Sequence, residues 1–411
     1  MNRRDFLAFA VALPLAVERS FGAARKKTIA LIITEYRLNA HADVIAGRLL
    51  GGYEYYGQHV GPRLQTKSMY TDQVPENDMS RALAARHGVT IYSTVREALT
   101  LGGNTLAVDG VVLIGEHGDY PYNEKGQHMY PRYELFRQIV EVYESSKRSV
   151  PTFTDKHLSY DWDKAKWMYD AARRLQFPLL AGSSIPVAWR RPELELPIGT
   201  RLKHAVSAFS RGGKEAYGFH ALEGLQCMVE RRRGGETGVS SVQCLDGADV
   251  WQWTDANPWS GRLLEAAVAS GGKRGGGIMR GRIRHPSVFV VKYRDGLEAA
   301  VYMLPEQAND FVFAGEIEGR SEPVSTQFWL QSQRYYAHFA TLTHYIEEMM
   351  LTGKEPYPVE RTLLTTGILA AAMDSAFRQG EALATPHLAV EYQPVVESLY
   401  NRGPVPAPET R

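Results

Sequence analysis

Val108-Asp109-Gly110-Val111-Val112-Leu113-Ile114 is apolar almost throughout and rich in β-branched residues. A short run with no polar alternation reads as a strand covered on both faces, the pattern of a parallel sheet. Thr28-Ile29-Ala30-Leu31-Ile32-Ile33 has the same character. Between the two, residues 40–50 predict a helix, 65–70 a strand, 78–87 a helix ending at Gly88, and 89–92 a short strand. Residues 94–101 predict a helix with Thr94 as cap and Glu97 in the capping-box position. Downstream, residues 133–144 predict a helix, 150–154 a strand, 161–175 a helix and 178–181 a strand. Strand and helix alternating at this spacing imply a parallel, doubly wound sheet.

The character changes after Pro192. Strand-like segments at 204–209, 239–245, 287–293 and 298–304 follow one another, with one helix over 217–231 and a glycine-rich loop at 271–277. This predicts a mostly antiparallel sheet. Two amphipathic helices follow, at 333–351 and 358–379. The fold class is therefore α/β, with an N-terminal Rossmann-like parallel sheet and a C-terminal α+β domain. The expected division is 1–24, an export signal; 27–190, the dinucleotide-binding-type domain; 191–395, the substrate and oligomerisation domain; and 396–411, a tail.

A chain of 411 residues accommodates two domains. With 47 Lys+Arg against 46 Asp+Glu the formal net charge is +1, so no field favours nucleic acid or an anionic membrane. Arg231-Arg232-Arg233, the one basic run, reads as a solvated turn. Cys227 and Cys244 read as free buried thiols, with a single disulfide left open for an exported protein. Export is indicated by Met1-Asn2-Arg3-Arg4-Asp5-Phe6-Leu7 and the apolar run after it, with Gly22-Ala23-Ala24 offering cleavage. That run is too short to cross a bilayer. The expectation is a periplasmic protein sent out by the twin-arginine route, free of the membrane after cleavage. That route carries folded proteins, often with a cofactor loaded, which favours a tightly held ligand.

Three stretches carry a resemblance. Thr94-Val95-Arg96-Glu97-Ala98-Leu99 leads into Val108-Asp109-Gly110-Val111. Val150-Pro151-Thr152-Phe153-Thr154-Asp155-Lys156-His157 ends a strand. Tyr217-Gly218-Phe219-His220-Ala221-Leu222-Glu223 opens the helix of the second half. Together with the closing pair of helices around Gly353-Lys354-Glu355-Pro356, these resemble the Gfo/Idh/MocA family of glucose–fructose oxidoreductases and inositol dehydrogenases. The resemblance spans about residues 27 to 395. It implies hydride exchange between NAD or NADP and a sugar, polyol or glycoside, in a homo-oligomer. Asp155-Lys156-His157 falls where that family carries an acidic-lysine-proline motif. The resemblance makes Lys156 the group that contacts the substrate hydroxyl, His220 the catalytic histidine and Asp155 a third catalytic residue. It places Thr34, Arg37, Tyr70, Glu116 and His117 toward the dinucleotide, and His157, Glu223, Tyr120 and Trp189 toward the substrate. If both catalytic residues line an open cleft, exchanging either leaves stability within roughly ±0.5 kcal/mol, as at polar surface sites.

The chain departs from the family at two points. Thr34-Glu35-Tyr36-Arg37-Leu38-Asn39-Ala40 has no glycine where the phosphate loop should lie. Without glycines the backbone cannot approach a pyrophosphate closely, and Glu35 repels it; Arg37 compensates by direct pairing. His157 stands in place of the proline, and the following loop reads Gly115-Glu116-His117-Gly118-Asp119-Tyr120-Pro121. These departures keep three alternatives open: a metal- or lysine-assisted lyase or hydrolase, a carbohydrate-binding protein, and a divalent-metal site from Glu116, His117, His157, His220 and Glu223. No metal is the primary expectation, because no tight ligand spacing is present.

Overall fold

The computed structural model describes residues 25–209, 213–271, 278, 280–305, 310–331 and 336–407. The segment 1–24, expected to be an export signal, and most of the glycine-rich segment at 271–277 lie outside these residues. The first half contains β1 (Thr28–Glu35), α1 (His41–Gly51), a hairpin of β2 (Tyr53–Tyr55) and β3 (Gln58–Val60), β4 (Gln65–Gln73), α2 (Ser80–His87) and β5 (Thr90–Ile91). It continues through α3 (Val95–Thr100), β6 (Gly110–Ile114), α4 (Arg132–Ser146), β7 (Thr152–Asp155), α5 (Trp162–Leu175) and β8 (Leu179–Gly182). Helix starts follow their caps. Thr94 Oγ1 accepts from Glu97 N, and Asp161 Oδ1 from Lys164 N at 2.9 Å. Gly88 ends α2 in the left-handed conformation at φ +65°.

The sheet order is β5-β4-β1-β6-β7-β8, with every pair parallel. The order reverses between β1 and β6. In such sheets the crevice outside the carboxyl ends of the strands at that reversal is the ligand site.

The second half holds β9 (Trp189–Arg191), β10 (Leu202–Phe209), α6 (Lys214–Val229), β11 (Val239–Asp246), α7 (Ala248–Ala256), α8 (Pro258–Ser270), β12 (Ser287–Tyr293), β13 (Glu298–Met303), β14 (Phe311–Ile317) and β15 (Val324–Trp329). It closes with α9 (His338–Thr352), α10 (Glu360–Phe377) and β16 (Leu383–Ala384). The strands form one sheet in the order β16-β11-β12-β13-β10-β14-β15-β9. Only β10 and β13 run parallel. Both faces are covered. Phe219, Leu222, Leu225, Leu364 and Ile368 of α6 and α10 pack on one, and Val250, Leu263, Leu264 and Ala267 of α7 and α8 on the other.

Helix α9 leaves this sheet and buries Leu342, Ile346, Met349 and Met350 against Ile29 and Leu31 of β1. It completes the core of the first domain from the far end of the chain. No helix among the described residues is long and apolar enough to cross a membrane.

One sequence reading needs correction and another is borne out. Arg231 and Arg232 are not solvated but buried, at 3% exposure each. Arg231 donates to the carbonyls of Leu196, Val395 and Val396, and Arg232 pairs with Glu236 and Asp295. Arg231 fastens the C-terminal tail to the end of α6, and Arg232 ties that end to the turn between β12 and β13. Cys227 and Cys244 are both free and buried, so no disulfide joins them.

Candidate functional site

The carboxyl ends of β1, β6, β7 and β8 converge on the N-terminal half of α6. Glu116, two residues past β6, is buried at its centre. One carboxylate oxygen accepts from Lys156 Nζ at 2.8 Å, and the other pairs with the fully buried Arg132, the first residue of α4. Burial alone would raise the Glu116 pKa. The Lys156 ammonium and the Arg132 guanidinium outweigh it and hold the group well below the carboxylate range.

Lys156 has φ +54°, in the left-handed region that a non-glycine residue occupies only when its surroundings over-determine it. Its main-chain N–H meets Gly182 O at 3.2 Å, and its Nζ also donates to Ala216 O at 3.3 Å. His220 is one helical turn beyond Ala216, on the same face of α6. Burial, and next the Lys156 charge, depress the His220 pKa well below its ordinary value, so the imidazole is neutral. Its Nδ1 is buried without a partner.

His157 turns the other way. Its Nε2 lies 3.1 Å from Glu215 Oε1 and 3.2 Å from Arg132 Nη1. His157 therefore braces Arg132 and α6 and has 1% of its surface exposed. Asp155 is fully buried, with Oδ2 2.6 Å from Nδ1 of His41.

On the dinucleotide side, Thr34 is buried and donates to Glu116 O at 2.9 Å, which fixes the loop after β6. Arg37 pairs with Glu35 and reaches His117 Nδ1 at 3.4 Å. His117, also at positive φ, has its pKa lowered to about 4 by burial and then by His41. Tyr70 and Tyr120 donate to opposite oxygens of Asp72, at 2.6 and 2.7 Å. These two tyrosines therefore meet at the end of β4 and frame a carboxylate.

Besides His157, two residues expected to face substrate do not. Trp189 lies in the edge strand β9, its indole donating to Gly403 O at 2.7 Å and packed edge-on against Trp329. Glu223 shares an α6 turn with His220 but points behind the crevice. It accepts from Ser183 N and Oγ at 2.7 and 2.5 Å, and from Thr362 Oγ1 at 3.3 Å. Gly182 makes this possible: a Cβ there would sit 2.5 Å from Glu223 Oε1, at φ +119°.

Burial pushes the Glu223 pKa up to about 7. A folded pKa above the unfolded 4.5 means that the folded state binds the extra proton between those values, so stability falls as pH rises through that window. The expected loss from pH 4.5 to pH 7 is about 3 kcal/mol from this group. Urea denaturation across that range should show a flatter profile for Glu223→Gln. An unchanged slope would remove Glu223 as its source.

The five residues considered for a divalent metal do not form a set. Glu116 is engaged by two cations and Glu223 by β8. No group of three or more His, Cys, Asp or Glu among the described residues is arranged to hold a metal ion. The residues that sequence reasoning missed are Arg132, Glu215, Asp72 and His41. Arg132 had one available signal, a charged residue opening a helix directly after Tyr130-Pro131.

No protein-family model matches the chain, and no curated protein sequence does. Solved structures do. GenD2 from gentamicin A biosynthesis, in complex with NAD, matches at 12% identity and TM-score 0.56 over 88% of this chain and 97% of its own. Myo-inositol 2-dehydrogenase from Lactobacillus plantarum matches at 13% and 0.52, over 88% and 99%. A Gfo/Idh/MocA family oxidoreductase from Vibrio cholerae matches at 13% and 0.50, over 86% and 98%. At these identities the likeness is one of fold, and the chain has the two-domain fold of the Gfo/Idh/MocA oxidoreductases.

Proposed function

We propose that this protein is an exported oxidoreductase that exchanges a hydride between NAD(P) and a hydroxyl-bearing small molecule, a sugar or polyol. The observation that carries the reading is Lys156: a buried ammonium at the topological switch point, aimed by Glu116 and the Ala216 carbonyl at the helix face that carries His220. An ammonium held there donates to a substrate hydroxyl and stabilises the oxygen as its proton leaves. The neutral His220 imidazole orients that hydroxyl. Glu116 and Arg132 keep Lys156 in place.

The residues fit a dinucleotide through different contacts from a glycine turn. Asp72 stands at the end of the second parallel strand, where a carboxylate binds ribose hydroxyls. Arg37 is the group available to a pyrophosphate, in place of main-chain N–H groups. When bound, NAD(P) supplies the hydride acceptor. A pyrophosphate must displace Glu35 from Arg37, which favours a cofactor loaded during folding and carried through twin-arginine export over one exchanged freely.

A second reading, a lysine-assisted lyase or hydrolase on the same fold, is favoured by one observation: Tyr36 is fully buried in the turn where glycines would leave room for phosphate. Mass spectrometry of the small molecules released from purified, denatured protein separates the two. NAD or NADP near one per chain is the expected result. Turnover of a polyol by protein that releases no nucleotide would favour the second reading.

A further inference from the structure

The crevice holds an acid–base pair that none of the roles above uses. Asp155 at the end of β7 has two carboxylate oxygens sealed from solvent. Oδ2 meets Nδ1 of His41, and Oδ1 has no hydrogen-bond partner. His41 is the first residue of α1. The left-handed backbone of Lys156 lets neighbouring side chains diverge, Asp155 toward α1 and Lys156 toward α6. A carboxylate on Nδ1 keeps a proton there and leaves Nε2 as the bare nitrogen, the arrangement that fixes the tautomer of a histidine base.

That Nε2 makes no hydrogen bond to a described residue and is not among the sealed polar atoms. The side chain is 17% exposed, with its ring edge-on to His117 at 5.4 Å and to Phe339 at 5.5 Å. Asp155 directly precedes Lys156 and His117 directly follows Glu116, so the His41 ring lies against the two segments that hold the Lys156–Glu116 pair. His220 is a poor proton store by comparison, because burial and the Lys156 ammonium disfavour its charged form. A positive charge at a helix N-terminus is opposed by the helix dipole. The Asp155 carboxylate on Nδ1 offsets that opposition.

We propose that His41, with Asp155 on its Nδ1, is the catalytic base of this crevice. In the step, the substrate O–H bond breaks and an N–H bond forms at Nε2. The O–H electron pair stays on the oxygen facing Lys156, and the second proton stays on Nδ1, hydrogen-bonded to Asp155, whose carboxylate balances the imidazolium. The inference rests on the reading of the crevice as the place of chemistry.

Diethyl pyrocarbonate tests the pair without substrate or dinucleotide, because it acylates unprotonated imidazole nitrogens. In the mature protein, peptide mass mapping is expected to find His41 acylated at least as fast as the exposed His59. Asp155→Asn should slow His41 by at least about tenfold, as a lost tautomer disables a histidine base. An unreactive His41 beside a modified His59, or an unchanged rate in Asp155→Asn, would overturn the dyad. If that variant does not fold, nitrogen-15 imidazole spectra of the wild type decide: the Nδ1–H tautomer at His41 supports the pair and the Nε2–H tautomer refutes it. On a panel of sugars and polyols, His41→Gln is expected to lose about 10²–10⁴-fold in turnover, and retained turnover refutes the catalytic role. No wild-type turnover on the whole panel counts against the sugar reading instead, and leaves the acylation and tautomer results to judge the dyad.

Discussion

Lys156→Met is expected to lower turnover by about 10²–10⁴-fold, the range that one positioned proton-handling group contributes. The ammonium is held on two sides. Two acceptors, Glu116 Oε1 and Ala216 O, fix Nζ within the crevice, and only 4% of the residue is exposed. A methionine fills the same volume and removes the charge. The burial also changes the stability expectation. As an open-cleft residue Lys156 would be neutral to folding, but here it satisfies a buried carboxylate. Glu116 keeps Arg132, so the loss should stay at about 1–3 kcal/mol, the value of a charged hydrogen bond. Thermal melts beside turnover check both halves. A melt lowered by much more than this, with turnover intact, would make Lys156 a structural residue.

Arg132→Met should be the more damaging change to the fold. Arg132 has no exposed surface. It pairs with Glu116, reaches His157 Nε2 and lies 5.0 Å from the centroid of the Tyr130 ring. Removing it leaves Glu116 with Lys156 alone and weakens the compensation of Glu215 through His157. Losing two buried contacts at once, to the Glu116 carboxylate and to the His157 ring beside Glu215, costs about 3–5 kcal/mol, the range for breaking a buried ion pair. The expected readout is a lower urea midpoint with an unchanged slope. A shift under about 1 kcal/mol would mean that water reaches Glu116.

The first sheet was legible because its central strands β1 and β6 are covered on both faces. Residues 108–114 and 28–33 therefore read as unbroken apolar runs, and periodicity needed no help. The second half was less so. Helices α7 and α8 are rich in tryptophan and carry weak amphipathic patterns, and β14 and β15 become strands only by pairing with β10 and β9. Helix α9 belongs to the first core, which no local pattern could reveal.

At the site, Lys156 and His220 were legible from the resemblance, and the structure brings them to one helix face through Ala216. His157 and Glu223 carried the right chemistry in the wrong direction: one braces Arg132, the other caps Ser183. Trp189 was chosen for its ring, and its strand lies at the far edge of the second sheet. His41 and Arg132 escaped because their partners, Asp155 and Glu116, are 114 and 16 residues away. Such pairs are made by topology and leave no mark on spacing.

In the proposed mechanism Lys156 and His220 act on one substrate hydroxyl. The measurement that addresses it most directly is a double-mutant cycle on turnover, with Lys156→Met, His220→Asn and the two combined. Residues acting as a unit lose nearly everything with the first change, so the double variant should be no slower than the worse single variant. Fully additive losses, or turnover that survives Lys156→Met, would contradict the account.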